Sequence, residues 1–141
     1  RAAPENGRTL TVATFNIYAE RSDPADIVAT IRDMDADIVG LQEALKFQID
    51  AILDSVPGYI NLGVGRDDGK TKGEYSSILY KADKLEVTDS GTFWFSDTPD
   101  VIGSKSWGNN ITRICTWAQF EEKSTGKAFF FRAFSAFVFT P

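Results

Sequence analysis

Apolar positions recur every second residue, then every third or fourth, then every second residue again. Thr9 to Ile17 is apolar on both faces: Leu10 and Val12 lie on one, Ala13, Phe15 and Ile17 on the other. That is the pattern of a strand buried between layers. A helix start follows, with Asp23 as cap, Pro24 at the first helical position and Asp26 at the positive end of the dipole. Ile27, Val28, Ile31 and Met34 then keep helical spacing. Asp37 to Glu43 reads as a second apolar strand. Leu45, Ile49, Ile52, Leu53 and Val56 form the face of a second helix, stopped by Pro57-Gly58. Beyond it, Tyr59–Gly65, Glu74–Tyr80, Leu85–Phe95, Arg113–Glu122 and Ala128–Phe139 read as strands. The order β-α-β-α plus a meander predicts an α/β layered fold with a mixed sheet and two helices on one face.

A chain of 141 residues is one domain's worth, without internal repeat or linker. With 15 Lys and Arg against 20 Asp and Glu, the net charge is −5, which argues against nucleic-acid affinity through charge alone. Nucleic acid held through a metal stays open. One cysteine excludes an internal disulfide and a multi-cysteine zinc site. The absence of histidine matters most: it removes Ser–His–Asp and Cys–His catalysts, His-ligated metals and a histidine base. No apolar run reaches the ~18 residues of a membrane span. The opening Arg1-Ala2-Ala3-Pro4 leaves the compartment open, a removed signal peptide (secreted or periplasmic) being one reading.

Chemistry must therefore come from carboxylates, amides, Lys, Arg, hydroxyls or an oxygen-bound metal. Asn16 ends the first strand and Glu43 the second. If the helical crossover makes these strands parallel, both side chains share one rim, where open α/β sheets place ligands. An amide oxygen and a carboxylate there suit Mg²⁺ or a similar hard cation. Gly63 to Thr71 misses the spacing of a phosphate-binding loop and reads as a solvated hairpin loop. Cys115 reads as a buried, inert thiol, and Ser76 and Ser77 have no histidine to activate them. Trp94 and Trp107 read as core and loop packing.

Together the motifs carry a resemblance. Thr11-Val12-Ala13-Thr14-Phe15-Asn16-Ile17 and Asp37-Ile38-Val39-Gly40-Leu41-Gln42-Glu43 look like the first two signatures of the endonuclease/exonuclease/phosphatase (deoxyribonuclease-I-like) family. Three further stretches are similar to its small bacterial members: Gly65–Gly69 with Gly73–Tyr80, Asp89–Ser96, and Arg113–Ala118. The resemblance runs from about residue 9 to 131; residues 132–141 form an atypical tail. It implies half of a four-layered α/β sandwich and hydrolysis of phosphate esters. It also implies Asn16 and Glu43 at a Mg²⁺ (or Mn²⁺), Glu74 orienting a catalytic histidine, and Arg113 near the scissile phosphate. Catalytic roles thus fall to Glu43, Glu74 and Arg113, and metal ligation to Asn16 and Glu43.

The family's Asn-Thr-His-x-Asp-His strand ending does not appear. The chain instead reads Arg132-Ala133-Phe134-Ser135-Ala136-Phe137-Val138-Phe139-Thr140-Pro141. The family's second half is absent too, so the reading is a truncated domain with an out-of-frame tail. A weakly held metal and little phosphodiesterase activity follow. The ligand class is a small phosphate ester, with carboxylic ester hydrolysis or a non-catalytic scaffold as alternatives. The C-terminal strand, carrying Phe129, Phe131, Phe134, Phe137 and Phe139, is expected to join two copies as a homodimer.

Overall fold

The computed structural model describes residues 9–135. Strand β1 (Val12–Asn16) is followed by a 3-10 turn (Ala19–Arg21), helix α1 (Pro24–Met34), β2 (Ile38–Gln42) and α2 (Lys46–Ser55). Then come β3 (Tyr59–Leu62), β4 (Ile78–Lys81), β5 (Leu85–Trp94), β6 (Ile114–Glu122) and β7 (Ala128–Phe134). The first helix start obeys its sequence signal. The Asp23 carboxylate accepts the Ala25 N–H at 2.8 Å, with Pro24 next to it. At α2 the buried Gln48 side chain accepts the Leu45 N–H at 2.9 Å and donates to the Ala19 carbonyl at 2.7 Å. One amide thus pins the 3-10 turn to the helix.

The strands do not form one sheet. They divide into a four-stranded mixed sheet, β1-β2-β4-β3, and a three-stranded antiparallel sheet, β5-β6-β7. The break falls between β4 and β5, which are joined by a three-residue turn yet do not pair. Strands β1 and β2 are parallel, Asn16 standing beside Gln42. Alternation along β2 explains the layering. Val39 and Leu41 pack with Ile27, Ile31, Ile49 and Ile52 of the helices. Ile38 packs instead with Ile78, Tyr80, Leu85, Ala118, Phe120 and Ala133 between the sheets. Fully burying side chains of this size stabilises by about 1.5–3 kcal/mol each. Gly40 sits where a Cβ would stand 3.3 Å from the Phe131 ring, so its bare backbone lets β7 come close.

One electrostatic clamp frames this core. The Asp37 carboxylate, at the base of β2, accepts from Thr11 N–H at 2.9 Å and Lys84 Nζ at 2.8 Å. Burial pushes its pKa up, but the Lys84 and Thr11 hydrogen bonds and the charges of Lys84 and Lys81 outweigh that and hold it low. Burial alone accounts for the raised pKa of the Tyr80 hydroxyl.

The two faces of the C-terminal strand differ in burial. Phe129 and Phe131 turn into the inter-sheet core, whereas Phe130 and Phe134 are 62% and 50% exposed on the outer face. Among the described residues β7 is an edge strand. Phe137 and Phe139 lie outside the described residues. The expected strand Glu74–Tyr80 is shortened to Ile78–Lys81, with one isolated bridge between Tyr75 and Ala44. Its cause lies at Glu43, below.

Candidate active site

Register brings one set of strand ends to a common rim. These are the C-terminal ends of β1 and β2, the N-terminal end of β4, the turn from β5 to β6, and the C-terminal end of β7. A cleft of about 700 Å³ opens there between the two sheets. Asn16, Glu43 and Arg113 all line it, with Thr14, Gln42 and Phe131 among the walls. Parallel pairing places Asn16 and Glu43 together as the strand pattern required. Asn16 Nδ2 donates to Glu43 Oε1 at 3.2 Å, while Asn16 Oδ1 accepts the Tyr18 N–H at 2.8 Å.

Glu43 is aimed by a bulge. From the Gly40–Ile78 pair to the Ala44–Tyr75 bridge, the chain takes one more residue on the Glu43 side than on the other. Glu43 absorbs it with φ +57°, a left-handed backbone that side chains rarely adopt. The ladder is thereby interrupted, so residues 74–77 do not extend β4. Tyr18 (φ 64°) and Ala19 (φ 47°) share this conformation across the rim. Strained residues persist where surrounding structure over-determines them, and they concentrate at functional sites.

Glu74 does not line the large cleft. It meets Glu43 around the corner, in a smaller hollow of about 420 Å³ with Tyr18, Ala19, Arg21 and Leu45. Its carboxylate pairs with Arg66 Nη1 at 2.5 Å, and both side chains are largely buried. Arg21 donates to the Tyr18 hydroxyl at 2.6 Å and lies over its ring. Arg113 has no ion pair among the described residues, which leaves its guanidinium available to an anion in the cleft.

The Gly63–Thr71 segment is solvated, with Asp67, Lys70 and Thr71 exposed, and it is also braced. Gly65 is buried against the Lys72 backbone, and Asp68 accepts the N–H groups of Lys70, Thr71 and Lys72 at 2.8–2.9 Å. Those backbone bonds, the Lys72 bond foremost, together with the Lys72 charge outweigh the desolvation and lower the Asp68 pKa. Ser76 and Ser77 are buried at 3% and 0%, and Cys115 at 2% with its thiol pushed up by burial despite Arg132. None of the three stands open to a substrate as a nucleophile. Trp94 is core, its indole donating to the Arg66 carbonyl at 2.8 Å, but Trp107 is 60% exposed and not packed. Tyr18, Arg21, Gln48 and Arg66 escaped sequence reading because their roles depend on turns with no periodic signal. Thr14 and Gln42 were reachable, since they share the face of Asn16 across a parallel pair.

As metal ligands, Glu43 and Asn16 offer a carboxylate and, if the amide turns, a carbonyl oxygen. Among the described residues no three His, Cys, Asp or Glu side chains cluster. The pair therefore fits a hydrated divalent cation held by few protein donors, the habit of Mg²⁺, rather than a closed site.

The rim arrangement is that of a phosphoesterase-like α/β sandwich. The chain belongs to the Endonuclease/Exonuclease/phosphatase family, whose profile matches residues 13–121. It is similar to an endonuclease/exonuclease/phosphatase of Bacteroides vulgatus (41% identity, TM-score 0.82), covering 89% of this chain and 51% of that one. It is also similar to a mannosyl-6-phosphatase of Bacteroides thetaiotaomicron (38%, TM-score 0.80), covering 88% and 50%. An uncharacterized protein of Acanthamoeba polyphaga mimivirus is 31% identical over 110 residues, 73% of this chain and 41% of that protein. This chain thus spans about half the length of the solved relatives it matches. Members of the family generally use divalent metals.

Proposed function

We propose that this chain carries one half of a metal-dependent phosphoester hydrolase site whose ligand is a small sugar phosphate. The convergence of Asn16, Glu43 and Arg113 on one inter-sheet cleft carries the reading. Glu43 and Asn16 would hold Mg²⁺ or Mn²⁺, which when bound polarises a phosphoryl oxygen. Arg113 offers planar donors matched to phosphate oxygens. Arg66 fixes Glu74 beside Glu43, where its carboxylate can orient a neighbouring group. The ligand class follows the mannosyl-6-phosphatase relative and the net charge of −5, which disfavours a polyanion. Without histidine the chain lacks a ready acid–base group. Each such group contributes about 10²–10⁴-fold, so turnover by this chain alone is feeble.

The test is hydrolysis of bis-p-nitrophenyl phosphate, mannose 6-phosphate and p-nitrophenyl acetate with Mg²⁺ or Mn²⁺, then with EDTA. Weak phosphoester turnover lost with EDTA and in Glu43→Ala is the expected result. Silence on all three substrates refutes an active site and leaves a scaffold. Acetate turnover indifferent to EDTA replaces the reading with carboxylic ester hydrolysis.

The same chain is proposed to self-associate through β7. Among the described residues no strand pairs with its outer edge, and Phe130 and Phe134 lie exposed beside it. A second copy pairing antiparallel across a two-fold axis covers both at once. Light scattering should give twice the 15.6 kDa chain mass, reverting to one chain mass in a Phe130→Asp/Phe134→Asp variant. A single-chain mass for the unaltered protein refutes it.

A further inference from the structure

On the flank of the sandwich away from β1 and β7, β3 and β5 are the outer strands of their sheets, and a separate hollow of about 330 Å³ opens there. It shares no lining residue with the Asn16–Glu43 cleft. Leu62, Val64, Trp94 and Ile102 give it apolar walls, and Thr116 of β6 lines it as well. No charged side chain is among the described residues that line it. The segments around it are fastened to one another. Ile102 closes over Gly69 so tightly that a Cβ there would stand 2.9 Å from it. The Thr112 hydroxyl donates to Asp67 Oδ1 at 3.2 Å, and the Trp94 indole donates to the Arg66 carbonyl at 2.8 Å.

Hydroxyls that the fold leaves unmet border this hollow. Thr116 is 2% exposed, and its Oγ1 has no hydrogen-bond partner among the described residues. In register it stands between Thr92 of β5 and Ala133 of β7, and neither side chain bonds it. Ser77 is fully buried and its Oγ is likewise unpartnered. That Oγ lies 3.1 Å from where a Cβ on Gly63 would stand, and Gly63 lines the hollow. Buried hydroxyls in folded proteins are nearly always hydrogen-bonded, to the protein or to something held beside it. Packing does not call for a hydroxyl at Thr116, since valine fills the same space without an unmet polar atom.

We propose that this hollow binds a small uncharged molecule with an apolar body and one hydroxyl. The hydroxyl pairs with Thr116 Oγ1, and the body lies against Leu62, Val64, Trp94 and Ile102. Walls without charge give an ionic ligand nothing to offset its desolvation. A wholly apolar ligand would leave Thr116 Oγ1 unmet. The threonine hydroxyl can donate or accept, so it suits an alcohol in either role. The volume stands at the small end of the range for ligand pockets, which suits a single ring. The inference does not depend on the phosphoester reading, because the two sites have no residue in common.

The probes are three molecules built on one ring: benzyl alcohol, toluene and benzoate. Each is titrated into the isotope-labelled full chain and followed by amide and indole chemical shifts. Benzyl alcohol should move the amides of Gly63, Gly69 and Thr116 and the Trp94 indole signal to saturation, leaving those of Glu43 and Arg113 in place. It should bind about fivefold tighter than toluene, the order of one hydrogen bond, and benzoate should move none of these signals. Thr116→Val should remove that ratio without weakening toluene, and should raise the urea midpoint of the free protein. Thr116→Ser should keep the ratio. Equal affinity for benzyl alcohol and toluene in the unaltered protein overturns the role of Thr116, whether or not the variants fold. A ratio unchanged in Thr116→Val does the same. Shifts confined to the Asn16–Glu43 cleft, or no shift with any probe, overturn the site and leave the Thr116 hydroxyl to water.

Discussion

Replacing Asp37 with Asn isolates the charge that anchors the base of β2. The side chain is 3% exposed, with Oδ1 2.8 Å from Lys84 Nζ and 3.7 Å from Lys81 Nζ. Asn keeps an acceptor for Thr11 N–H but turns an amide donor, or at best a neutral oxygen, toward Lys84. A hydrogen bond to a charged group is worth about 1.5–3 kcal/mol. Lys84 is half exposed and can turn to water, which favours the lower part of that range, about 2 kcal/mol. For a domain of this size that is about 6–8 °C in Tm. The pH dependence distinguishes charge from shape. The folded-state pKa lies below the ordinary 3.8, so the carboxylate's contribution is complete above that value and is lost as pH falls through the folded one. Urea unfolding of the two proteins at pH 7 should differ by the full amount, and the gap should close as pH drops below the ordinary value. Equal stability at pH 7, or a gap that persists unchanged in acid, would falsify the argument.

Gly65→Ala should destabilise by about 2–3 kcal/mol, because its Cβ falls inside the Lys72 backbone, and urea midpoints will report it. Gly91→Val should push the Trp117 indole off β5 and red-shift tryptophan emission; unchanged emission refutes the stacking. Cys115 should resist a thiol reagent at pH 8 in the native protein and react at once in urea, since burial both covers the thiol and raises its pKa.

Where a residue's fate depends on its own strand or helix, the sequence was readable. Asp23 and Pro24 mark a real helix start, and Asn16 and Glu43 meet because a helical crossover makes their strands parallel. The division into two sheets was not readable. Leu85–Trp94 alternates as well in one sheet as in another, and the short turn before it resembles a hairpin until Lys84 reaches for Asp37 instead. The bulge at Glu43 was equally silent, since nothing in Leu41-Gln42-Glu43-Ala44 announces a left-handed residue. Trp107 reads from the sequence as loop packing and does lie in a loop, but its 60% exposure, with the Asp97 bond and the turn at Gly108, has no periodic signal.

The cleft is a seam: Asn16 and Glu43 belong to one sheet, and Arg113 leads into the other. Its width is set where the sheets touch, by Ile38, Ile78 and Tyr80 packed against Leu85, Ala118, Phe120 and Ala133 and by Gly40 against Phe131. A ligand that binds both walls therefore acts as a rivet, present in the docked state and absent from the separated one. By mass action such a ligand at a hundred times its Kd adds about 2.7 kcal/mol to the folded state. Occupancy and sheet docking are then two readings of one equilibrium, and a thermal-shift screen detects ligands of this chain even where turnover is too slow to measure.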